Sequence, residues 1–185
     1  MTKKLYTPWG YADSVSEVVP GILSVTTPGH GGYKLDRKRN AAVHSAWRRK
    51  GGWYEEDNEW AIVVFTFKGE FPAESVEQAV YKVKSHYPHQ YQEVTGERVS
   101  LEESYVLRKE KALADAAGKL QSYSAFGSWH HAVPKGKVGL VAKINGRDGE
   151  GPERYFLIDE KDYVNYHPVF VVDPTKAEEV SAFLP

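Results

Sequence analysis

Strand-like and helical patterns are segregated along this chain, and that segregation constrains the fold more than any other feature. Near the N-terminus two alternating, β-branched runs, Ser14-Val15-Ser16-Glu17-Val18 and Ile22-Leu23-Ser24-Val25-Thr26-Thr27, flank Pro20-Gly21 and read as a hairpin. Beyond Gly118 the pattern returns to strands, from Gln121 to Phe126, Lys137 to Ile144, Arg154 to Ile158 and Val169 to Val172. The turn-rich segment Asn145 to Pro152 joins the middle two as a hairpin. Helical spacing is confined to the stretch between these ends. Strands at both ends with helices grouped in the middle predict an α+β chain with a mostly antiparallel sheet.

Within the middle, Asp36 is a suitable N-cap for a helix running to Lys50 and closed by Gly51-Gly52, with Asn40, Val43, His44 and Trp47 on one stripe. Phe71-Pro72 opens a helix to about His86, apolar at Val76, Ala79, Val80, Val83 and Tyr87, and a shorter helix follows to Thr95-Gly96. Ser100 and Glu103 have capping-box spacing and predict a helix from Leu101 to about Ala117. Trp60 to Phe67 is an apolar run interrupted only by Thr66, rich in β-branched and aromatic residues, and reads as a central strand buried on both faces. Asp173-Pro174-Thr175 predicts a short C-terminal helix over 175–183. A chain of 185 residues is expected to make a single domain, with its core over about 5–172.

The chain contains no cysteine, which removes disulfides, thiolate metal sites, iron-sulfur clusters and cysteine nucleophiles. Its 24 Lys+Arg against 25 Asp+Glu leave no global charge to attract nucleic acid, and no nucleic-acid motif is present. No run of about 18 apolar residues occurs, and Met1-Thr2-Lys3-Lys4 leads into Leu5-Tyr6-Thr7-Pro8, so neither a membrane span nor a signal peptide is expected. A soluble, cytoplasmic protein follows as the expectation. His86 and His89 straddle Pro88, and adjacent His130 and His131 would point to opposite sides of a strand, so no metal site is expected and no cofactor is implied.

Local features carry more than the averages. Gly29-His30-Gly31-Gly32 follows a strand, and its glycines let the backbone approach whatever lies opposite. It reads either as a simple turn or as a ligand loop; serine-hydrolase chemistry would also need a Gly-x-Ser-x-Gly elbow, which is absent. The acidic run Glu55-Glu56-Asp57-Asn58-Glu59 is either a solvated loop or, with Trp53, Tyr54 and Trp60, an aromatic box whose carboxylates accept from ribose hydroxyls or base amines. Trp129, next to His130, is most simply a core residue; the alternative is that it stacks on a planar ligand together with His30 and Trp9. Arg37, Arg39, Arg48 and Arg49 belong to the one local basic excess, which reads either as a solvated face or as a surface that would suit a phosphate or an acidic protein partner.

Several of these stretches together resemble an uncharacterised family, a domain of unknown function recurring on bacterial plasmids and bacteriophages. The pieces are Thr7-Pro8-Trp9-Gly10, Gly21-Ile22 through Thr27 to Gly29-His30-Gly31-Gly32, Gly52-Trp53-Tyr54-Glu55-Glu56-Asp57 before Trp60-Ala61, and Tyr87-Pro88 with Thr95-Gly96. Ser128-Trp129-His130, Val133-Pro134-Lys135-Gly136 and Tyr155-Phe156-Leu157 extend the resemblance to about Tyr163. It implies a mobile-element setting, in which such proteins serve replication, transfer or evasion of host defences. With that setting, the glycine loop, the acidic aromatic segment, the Trp129-His130 segment and the local arginines favour binding over catalysis: a counter-defence factor that sequesters a small nucleotide-like ligand through Trp9, Gly29 to Gly32, Trp53 to Asp57, Trp129 and His130. One alternative is an inhibitor that binds a host defence protein through the arginines. The other is a hydrolase or nuclease using His30, His130 and Glu56 as acid and base.

Overall fold

The computed structural model describes residues 5–163 and 168–183. The chain is α+β, its sheets are antiparallel, and in chain order four of its five α-helices follow the first group of strands and precede the second, while the other falls within the first group. By their contacts the residues divide into two compact units, Met1–Leu107 and Arg108–Pro185.

In the first unit β1 (Tyr6–Thr7) and β2 (Gly10–Tyr11) make a small ribbon. β3 (Ser14–Val19), β4 (Ile22–Thr26), β5 (Gly31–Leu35) and β6 (Trp53–Glu55) then pair in that order. The expected hairpin is present as β3–β4, and Gly21, at φ 81°, occupies the position after proline where a tight turn needs a left-handed residue. The register sets Ile22 opposite Leu35 and Tyr33 opposite Tyr54, so these side chains share one sheet face. α2 (Trp60–Thr66), α3 (Ala73–His86) and α4 (Pro88–Thr95) supply the other side of the core. Ile22, Leu35 and Tyr54 pack there with Ile62, Val63, Val83 and Tyr91.

Four expectations about local structure are corrected. Trp60 to Phe67 is helix α2, not a central strand, and Ala61, Ile62, Val63 and Val64 are all buried. An apolar run with no polar face has no period, and here the turn before it decides: Glu55 accepts from the Asp57 and Asn58 amides and the chain enters a helical turn. The helix from Asp36 does start with that side chain accepting from the Arg39 amide, but α1 (Arg37–Ala42) stops at Val43, which is extended. Val43 and Trp47 both turn into the core, and Arg48 takes over the carbonyls of Ala41 and Val43 that the helix gives up. The Ser100–Glu103 box forms, yet it closes a turn; α5 (Tyr105–Asp115) begins after Ser104, whose buried hydroxyl accepts from Leu107 N and donates to Ser85 O. The chain end carries strand β11 instead of a helix, as described next.

The second unit is a five-stranded antiparallel sheet in the order β10-β7-β8-β9-β11, made of β7 (Leu120–Phe126), β8 (Lys137–Ile144), β9 (Arg154–Asp159), β10 (Phe170–Val171) and β11 (Glu178–Val180). β8 lies at its centre. Alternation along β8 sends Val138, Leu140 and Ala142 into one cluster and Val141 into another, the two faces of the sheet. β11 pairs with β9 through Glu178 to Val180, and Arg154 bonds Glu179 in bidentate fashion across that pair.

Tyr54 has no exposed surface, and its hydroxyl donates to Asn40 Oδ1 at 2.7 Å and accepts from Arg49 N at 3.2 Å. Tyr54→Phe leaves both partners without a buried bond, and the protein is expected to lose about 1–3 kcal/mol in urea denaturation.

Candidate functional site

The site grows from the β4–β5 turn. Thr27 holds that turn from within: its Oγ1 donates to His30 O at 2.8 Å and accepts from His30 N at 3.1 Å, while Thr27 N donates to the same carbonyl at 2.7 Å. Thr27 N, His30 N and His30 O are thereby engaged within the turn. Gly29 and His30 stand exposed at its tip, and the His30 ring has no bond among the described residues. The loop is a tight hairpin turn.

The next two glycines have neighbours that explain them. A Cβ on Gly31 would lie 2.6 Å from Glu56 Oε2, and one on Gly32 would lie 2.1 Å from Tyr54 O and 2.7 Å from Trp9 Cη2. β5 can therefore pass between Trp9 and the β6 backbone only because these positions lack side chains. Trp9 is placed by Thr7, whose hydroxyl donates to Gly10 O and accepts from Trp9 N. Trp9, Gly31, Gly32, Trp53, Tyr54, Glu55 and Glu56 thus come together.

Their duties differ. Trp9 meets Trp53 edge-on at 5.6 Å between ring centres, and Lys34 Nζ sits 5.0 Å from the Trp53 ring. Tyr54 is core. Glu55 is occupied by the Asp57 and Asn58 amides, and Glu59 by Glu55 N and Arg49. That leaves Glu56 and Asp57 as the exposed carboxylates of the run. Glu56 overlooks a cleft of about 230 Å³ lined also by Ser24, Thr26, Gly32, Tyr33 and Trp60. Burial pushes the Tyr33 phenol above its ordinary value, which keeps it a donor near neutral pH. Tyr33, Ser24 and Thr26 are not evident as site residues in the sequence; the signal is the register, which puts Ser24 opposite Tyr33 and Thr26 opposite Gly31 on the same face.

The arginines separate. Arg39 forms a two-armed pair with Glu70, donates to Pro20 O at 2.9 Å and lies over Phe67. Arg49 pairs with Glu59 at 2.6 Å. Arg48 bonds the carbonyls of Val43 and Ala41, and Arg37 has no partner among the described residues.

In the second unit Trp129 is 76% exposed, so it is a surface residue and not part of the core. A Cβ on Gly127 would lie 2.9 Å from Trp129 Nε1, so the indole rests against a bare backbone. Phe126 and His130 flank it at 6.1 and 5.9 Å, and His130 in turn stacks on His131 at 4.6 Å. His130 Nδ1 accepts from Ala132 N at 3.3 Å. Among the described residues no group of three or more His, Asp or Glu could hold a metal ion, and no helix is long and apolar enough to cross a membrane.

A domain of unknown function, DUF7007, matches residues 2–117. The chain belongs to that family. The DUF7007 match takes in Trp9, the glycine turn, the acidic run and the arginines, and ends just beyond α5. The resemblances at Ser128-Trp129-His130, Val133 to Gly136 and Tyr155 to Leu157 lie beyond the DUF7007 residues, as does the whole second sheet. No curated protein and no solved structure matches the chain.

Two outcomes follow for the DUF7007 unit. Gly32→Ala drives a methyl group into the Tyr54 carbonyl and is expected to abolish cooperative thermal unfolding of this unit. Arg39 holds the Glu70 carboxyl below its ordinary range, chiefly through their hydrogen bond. The stability this contributes is present above the range where a free carboxylate titrates and is lost as pH falls through the lowered value. Followed by circular dichroism, Glu70→Gln is expected to unfold less steeply with acid than the parent, with the difference shrinking in high salt because the pair is exposed.

Proposed function

We propose that the chain is a binding module, not a catalyst, and that it takes a small nucleoside-like ligand in the cleft beside Glu56. The observation that carries this reading is the convergence of an exposed carboxylate, two aromatic rings and two hydroxyl-bearing strand residues over a glycine floor. Tyr33 and Trp60 offer faces or edges to a planar ring, and Glu56 accepts from amines or sugar hydroxyls. None of the lining residues is a cation, so the cleft favours the base or sugar of such a ligand over its phosphate. The setting is that of the family resemblance: an accessory protein of a phage or plasmid, acting in the bacterial cytoplasm and sequestering a nucleotide-like signal as a counter-defence factor.

The reading as an inhibitor of a host protein draws less support, because Arg39 and Arg49 already hold internal carboxylates. A catalytic reading lacks a paired acid and base, since no hydrogen bond joins His30 to Glu56 among the described residues.

The test is mass spectrometry of small molecules released on denaturation, followed by thermal-shift titration with nucleosides, cyclic nucleotides and ADP-ribose derivatives. A bound or stabilising nucleoside-like compound is expected, with affinity reduced about tenfold in Glu56→Gln, the size of one charge-assisted hydrogen bond. No released compound and no shift with any of these probes would sink the reading.

A further inference from the structure

A second cleft in the first unit, of about 380 Å³, shares no lining residue with the one at Glu56. Lys34, Arg37 and Arg48 line it, with Asp36, Asn40 and Gly51 among its other walls. We infer that this cleft is an anion site for a small phosphate-bearing ligand, independent of the function proposed above.

Three cations face one carboxylate, and that carboxylate is engaged: Asp36 Oδ1 accepts from Arg39 N at 2.7 Å as the helix cap. Arg48 is held in place by its own fold. Its Nε donates to Val43 O at 2.8 Å and its Nη2 to Ala41 O at 2.9 Å, which fixes the guanidinium plane and leaves Nη1 without a bond among the described residues. Lys34 is tethered by the Gly51 carbonyl and by the Trp53 ring. A donor already oriented before binding loses little freedom on binding, which is where much affinity is otherwise forfeited. Arg37, with no partner of its own among the described residues, is the arm free to close over a guest.

The chemistry selects the anion. A phosphate monoester carries about two negative charges at neutral pH, and its oxygens match the parallel donors of guanidinium. The cations gather in a concave site within the roughly 300–1,000 Å³ range of small-molecule pockets and are not spread along a stripe, which a long polyanion would require.

Calorimetric titration of the full chain with inorganic pyrophosphate tests the assignment. One saturable site is expected, weakened about tenfold in Arg37→Gln and also weakened in Lys34→Gln. Lys38→Gln, which removes the same charge one residue outside the cleft lining, is expected to leave binding unchanged. The absence of saturable binding would overturn the proposal, as would equal weakening by Lys38→Gln and Arg37→Gln, since that describes a diffuse charged surface. Citrate binding as tightly as pyrophosphate would overturn the phosphate assignment.

Discussion

The first unit depends on how one buried phenol is satisfied. Tyr54 brings a hydroxyl into a core where it has no exposed surface, and the bonds it finds are to the Asn40 side chain and the Arg49 amide. Asn40 Nδ2 donates in turn to Arg49 O at 3.1 Å, so a single amide side chain ties together the last turn of α1, Arg49 two residues before the glycine pair, and strand β6. The segment between, which leaves the helix early and runs irregularly to Gly52, is pinned at both ends. Strand β6 has only three residues, and this anchoring, with the pairing to β5, holds it in register. Everything that makes the two clefts follows from its position: Glu56 arrives above Gly31, and Arg48 is turned back toward the carbonyls it caps.

Where the sequence carries a period or a hard steric signal, the structure is readable from it. Alternation with Pro20-Gly21 identifies the first hairpin, the run from Lys137 to Ile144 matches β8 end to end, and the apolar spacing of Val76, Ala79 and Val83 marks α3. Where a segment is apolar on every side, as from Trp60 to Phe67, strand and helix bury it equally well. The decision then passes to neighbours such as Glu55, whose carboxylate captures two backbone amides. The helix expected to run to Lys50 fails for a related reason. Its stripe pairs Val43 with Trp47, and both reach the core by abandoning the helix; tertiary burial outweighs local propensity there.

The candidate site was legible in its close approaches and illegible in its charges. Gly31 and Gly32 do mark the place where backbones nearly touch. Yet nothing in the run Glu55 to Glu59 distinguishes a carboxylate that caps a turn from one that faces solvent, and nothing in the arginine cluster separates Arg39, consumed by Glu70, from Arg37, which has no partner among the described residues. Such differences arise from partners far away in sequence: Glu70 lies 31 positions from Arg39. Ser24, Thr26 and Tyr33 were hidden for the same reason, because only strand register places them on one face.

On the proposed ligand-binding reading, the glycine floor also divides the labour of recognition. At Gly32 the cleft is bounded by bare β5 backbone, which the nearby Tyr54 carbonyl keeps free of any side chain. Selectivity must then reside in the rim, at Glu56 and Trp60 and in the hydroxyls of β4. Such a site can be retuned to a different guest by exchanging rim residues one at a time, while the scaffold that shapes the cavity stays untouched.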